Sequence, residues 1–125
     1  MTAALRKETL RRYVKLATNI LQEVAKGNRE NKFITYGELM HEMGGPGRAH
    51  IAEVLDEVSC AEHANGRPLI TALVIHKGID SRPGYGFWYI SVLPDSIKNA
   101  SEYDKIAFWQ RECEKLWSYW RTQAK

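Results

Sequence analysis

Residues 34–58 read ITYGELMHEMGGPGRAHIAEVLDEV, and the division of this stretch decides the fold. Thr35 and Glu38 stand three apart at the head of a run that places Leu39, Met40 and Met43 toward a core. A threonine hydroxyl that accepts a backbone N–H, with a glutamate reaching back to the threonine's own N–H, makes a capping box. The spacing predicts a helix from about Tyr36 to Met43. Gly44-Gly45-Pro46-Gly47 ends it, because glycine takes the positive torsions of a sharp reversal without steric cost. A second helix is predicted from near Arg48 to a stop at Asn65-Gly66, with Ile51, Val54, Leu55 and Val58 as its buried stripe.

Toward the C-terminus, residues 68–77 read PLITALVIHK, residues 78–86 GIDSRPGYG, and FWYI follows from Phe87. The apolar run predicts a strand over Leu69–His76, covered on both faces or nearly so, with Phe87–Val92 as its antiparallel partner. Helix, tight turn, helix, strand, loop, strand is the order of a winged helix-turn-helix, an α+β fold. Its wing would be the loop holding His76, Lys77, Arg82 and Tyr85. Basic and aromatic residues there suit phosphate or a minor groove; alternatively the loop is a polar hairpin whose glycines serve turn geometry.

The outward face of the second helix carries His50, Glu53, Asp56 and Glu57. Carboxylates repel phosphate, although they can accept from a cytosine amino group. The residues that favour DNA lie at the helix start: Arg48, His50 and the free backbone N–H groups, which attract an anion. Contact with DNA is therefore expected end-on.

On the N-terminal side, Phe33-Ile34 is an extended lead-in and residues 27–32, GNRENK, a polar turn. Before it a long helix is predicted over residues 3–27, with Thr2 as N-cap and Gly27 as stop. Tyr13, Ala17, Ile20, Leu21 and Val24 form its apolar face. Arg6, Lys7, Arg11, Arg12 and Lys15 stand on the other, a stripe suited to phosphates or simply a solvated face helped by Glu8 and Glu23. Beyond Pro94-Asp95-Ser96 a last helix is predicted over residues 101–124, capped by Ser101 with Asp104. Ile106, Trp109, Cys113, Leu116 and Trp120 recur at spacings of three and four, a heptad-like seam. It either packs on the first helix or, with Trp117, offers Trp109 and Trp120 to a dimer or another protein.

At 125 residues the chain holds one real core, so residues 1–125 are read as a single winged-helix domain with its helix-turn-helix core at 33–92. A net charge of +3 permits nucleic-acid binding without demanding it. Cys60 and Cys113 make no disulfide framework, which points to a reducing cytoplasm. There is no apolar run of membrane-spanning length and no signal-peptide pattern. Cys60 and His63 lie one helical turn apart, but a structural zinc takes four ligands, so no metal is expected. Phosphate-loop, dinucleotide and carboxylate–histidine signatures are missing. Neither an enzyme, a cofactor nor a small-molecule substrate is expected.

The central stretch resembles the C-terminal domain of the DNA alkyltransferases and alkyltransferase-like proteins. Ile34-Thr35-Tyr36-Gly37-Glu38-Leu39 matches that family's V-x-Y-G-E-L-A opening, and Arg48-Ala49-His50-Ile51-Ala52-Glu53-Val54-Leu55 its R-A-V-G-x-A-L run, one residue longer. The resemblance covers roughly 55 residues. It implies a winged helix bound to the DNA minor groove, with Tyr36 and Arg48 helping to rotate a nucleotide out of the stack. The family's P-C-H-R-V site is replaced by Pro68-Leu69-Ile70-Thr71, without cysteine, histidine or arginine. Alkyl transfer needs an activated thiolate, so that activity is excluded. A second likeness, to small uncharacterised bacterial and phage proteins, rests on Gly66-Arg67-Pro68-Leu69-Ile70-Thr71-Ala72-Leu73-Val74 and Pro83-Gly84-Tyr85-Gly86-Phe87. It implies a prokaryotic or viral source and no activity.

The expectation is a non-catalytic protein that binds double-stranded DNA through Tyr36, Arg48 and His50 at the helix start and Lys77, Arg82 and Tyr85 in the wing. The rival is a protein–protein interaction module, such as a phage-encoded inhibitor or a subunit of a host–phage conflict system. It would use the acidic helix face or Trp109, Trp117 and Trp120. A reader of damaged bases is a third class.

Overall fold

The computed structural model describes residues 6–45, 48–77, 83, 87–88 and 90–123, the side chains of Arg48, Ala49 and Gln123 excepted. Five helices and two short strands follow in the order α1 (Lys7–Lys26), β1 (Ile34–Thr35), α2 (Tyr36–Met43), α3 (Arg48–Ala64), a 3₁₀ turn (Ile70–Leu73), β2 (Val74–Ile75), α4 (Asp95–Lys98) and α5 (Glu102–Gln123). The fold is mixed and mostly helical, with α1 and α5 as the long flanking helices. Both pack on the 3₁₀ turn and on each other, and α3 closes the same core from the other side.

The local signals became structure. Thr35 accepts from the Glu38 backbone N–H at 3.1 Å, and the Glu38 carboxylate takes the Thr35 N–H at 2.9 Å, closing the capping box. Gly44 ends α2 in the left-handed region at φ 73°. Ile51, Val54, Leu55 and Val58 are all buried, and α3 stops where Gly66, at φ 70°, turns the chain away. Gly27 ends α1, which begins at Lys7; Thr2 lies outside the described residues. Ala17, Leu21 and Val24 form the buried centre of its apolar face, with Tyr13 and Ile20 half-buried beside it. Ser101 accepts from the Asp104 N–H at the start of α5.

The strand expected over Leu69–His76 is different. Ile70–Leu73 coil into a 3₁₀ turn, and only Val74–Ile75 extend, pairing in parallel with Ile34–Thr35. A continuous apolar run signals burial without choosing between strand and helix. Here side chains from other elements satisfy the backbone and fix the turn. Trp109 Nε1 on α5 donates to the Ala72 carbonyl at 2.7 Å, and the Glu112 carboxylate accepts from Leu69 N–H at 3.1 Å. Ser59 on α3 donates to the Leu55 carbonyl at 2.9 Å, so its 2.7 Å bond to Thr71 is donated by the Thr71 hydroxyl. Every residue of the turn is buried.

The antiparallel partner expected over Phe87–Val92 is also corrected. Among the described residues of that segment none is a strand; Phe87 and Trp88 are helical and Ser91 and Val92 lie in a turn. The return to β2 comes earlier, as an antiparallel bridge between Ile75 and Pro83. The later segment lies against α3 instead. Asp56 accepts from the Ser91 backbone N–H at 2.8 Å and from its hydroxyl at 3.0 Å, and Phe87 and Ile90 are buried.

Candidate nucleic-acid interface

The cations of α1 form a continuous exposed charge feature. Lys7, Arg11 and Lys15 recur every fourth residue, which sets them in one row along the helix. Arg6 and Arg12 are exposed beside them, with Arg12 against the Tyr13 ring, 5.4 Å from its centroid. Leu10 and Val14 floor a shallow groove beside the row, and Glu57 of α3 forms the opposite wall. Described ion pairs involve none of the five cations. Elsewhere cations are engaged: Arg29 with Glu42, Lys115 with Glu112, and Arg67 with the buried Glu62 at 2.6 and 3.1 Å. The Glu42 partnership holds the Arg29 guanidinium above its ordinary range and the carboxyl below its own.

The row borders α3 at Glu57. Tyr13 packs under the turn between α2 and α3, where a Cβ added to Gly45 would fall 2.9 Å from the tyrosine hydroxyl. Gly45 also holds φ at 126°, a torsion natural to glycine. The turn that leads into α3 therefore meets α1 on the side of Tyr13, opposite the row. Arg48 opens α3 there; its side chain is outside the description.

The other expected contact residues separate. His50 is half-buried and directed at Glu53, Nδ1 to carboxylate 3.9 Å. Tyr36 is half-buried at the first position of α2 and lines an apolar cavity rather than an open face. Lys77 is exposed just before the loop, while Arg82 and Tyr85 lie outside the described residues. Of the outward carboxylates of α3, Asp56 holds the Ser91 turn, and Glu57 lines the groove beside α1.

The tryptophans are mostly interior. Trp109 and Trp120 are buried; Trp117 is half-buried, with its ring edge toward Phe33 at 5.6 Å and Lys32 above it at 5.1 Å. Phe33 also stacks on Trp109, centroids 5.7 Å apart, so the lead-in to β1 is held by α5. Cys60 is half-buried with its sulfur 3.2 Å from the Ser91 hydroxyl. No three His, Cys, Asp or Glu side chains gather as a metal set among the described residues. No described helix is long and apolar enough to cross a membrane.

Sequence reasoning gave the α1 cations only a secondary part, because a basic helix face by itself is usually just solvated. The apolar cavity beside Tyr36 was missed altogether; its walls come from separate segments, and only the small Ala52 beside the apolar stripe of α3 hints at it. Compared with models of known families, with curated proteins and with solved structures, the chain matches none.

Proposed function

We propose that this protein binds double-stranded DNA without catalysis, gripping the phosphate backbone with the first half of α1 and the start of α3. The observation that carries this is the exposed row Lys7, Arg11 and Lys15, flanked by Arg6 and Arg12, along the groove that α1 forms with α3. Five cations against Glu8 and Glu57 leave a net positive face. The start of α3 adds backbone N–H groups and the helix dipole, both suited to phosphate. The bridge between Ile75 and Pro83 supports a return of the chain where a wing was expected, with Lys77 exposed just after Ile75. The burial of Trp109 and Trp120 weighs against a tryptophan-based partner surface.

The test is a pair of charge reversals with equal net charge. Arg11→Glu with Lys15→Glu should weaken duplex binding by an order of magnitude or more, since phosphate contacts supply most of the affinity. Lys98→Glu with Arg111→Glu, away from the row, should leave it nearly unchanged. Equal loss in both variants, or no duplex binding by the native chain, would refute the assignment.

A further inference from the structure

The molecule contains an apolar cavity of about 120 Å³ between α2, α3 and the segment after the loop. Ile51 and Leu55 of α3 form one wall, Phe87 and Ile90 the facing one, and all four are buried. The half-buried ring of Tyr36 closes one end. Among the described lining residues the side chains with polar atoms are Tyr36 and Thr71, and the Thr71 hydroxyl proton is already given to Ser59. A cavity needs two or more polar partners to hold a water firmly, and apolar cavities of this size stay dry and accept small apolar molecules. Ala52 is the exposed residue of the lining and marks the mouth.

Protein interiors close-pack, and a void of this size is a standing loss of contacts that larger side chains would recover. We infer that the cavity is a binding site for a small apolar molecule built on one aromatic ring. The volume fits one six-membered ring and excludes a fused polycycle. Tyr36 and Phe87 offer aromatic partners, for which ring–ring contact is favourable. The described lining residues contain no charged side chain to recognise a charged substituent. The site is independent of the DNA proposal, and its test reads no DNA binding.

Benzene is the probe. Methyl NMR spectra of the full chain would be recorded while benzene is raised to its aqueous solubility limit, and thermal unfolding followed alongside. Binding predicts saturable shifts at Ile51, Ala52, Leu55 and Ile90, and a melting temperature that rises with benzene concentration. Ala52→Phe, which fills the mouth from an exposed position, should abolish both effects. Ala52→Ser, which keeps the volume, should retain them. Shifts that stay linear, spread over the surface or persist in Ala52→Phe would overturn the inference, as would an unchanged spectrum of the native chain.

Discussion

Cys113 shows how burial sets the chemistry of one residue. It lies on the inner face of α5, and burial, with the charges of Glu112 and Glu114 nearby, pushes its thiol up from 9.0 to about 12. The folded chain keeps a proton that an unfolded cysteine releases near pH 9. The contribution is fully present below that pH and is lost as pH rises from 9 toward 12. Denaturant unfolding at pH 8 and pH 10 should therefore show a drop in stability that is smaller in Cys113→Ala. Thiol reagents should label Cys113 only when the chain unfolds. Trp109 makes a second residue-scale prediction. Its indole N–H satisfies the buried Ala72 carbonyl, so Trp109→Phe should cost about 1–3 kcal/mol in urea unfolding, most of it from the orphaned acceptor. A loss within experimental error would mean that the bond contributes nothing.

At the scale of elements, what the sequence revealed depended on where the deciding groups lie. The α2 helix and its cap were legible because Thr35, Glu38 and Gly44 act within a few residues of one another. The buried stripe of α3 was legible from its period. The Ile70–Leu73 turn was not, because Ser59, Trp109 and Glu112 decide it from 12 to 43 positions away. The same holds for the segment after Phe87: Asp56 looked like an outward acid on a recognition helix and is the anchor of the Ser91 turn. Asp56→Ala should therefore destabilise the fold by about 1.5–3 kcal/mol, the range for hydrogen bonds to a charged group. It should also raise amide exchange at Ser91 well above that of α5. Unchanged exchange at Ser91 would show that the turn holds without the carboxylate.

At the scale of the molecule, charge is sorted by position. The carboxylates of α3 and α5 that enter the interior carry structural bonds, while the cations of α1 remain on the surface beside α3. The candidate interface was half legible: the cations are plain in the sequence, but the groove they line with Glu57 of α3 follows only from the packing of the two helices. The net charge of +3 understates this face, because it averages the row against acids placed elsewhere. The most direct measurement is the affinity of the native chain for a labelled random duplex, read by fluorescence anisotropy across a salt series. Three to five phosphate contacts predict a log–log slope of about −3 to −4.5, reduced by about two in Arg11→Glu with Lys15→Glu. A flat salt dependence, or no binding at low salt, would contradict the account and leave the cationic face of α1 as a solvated surface.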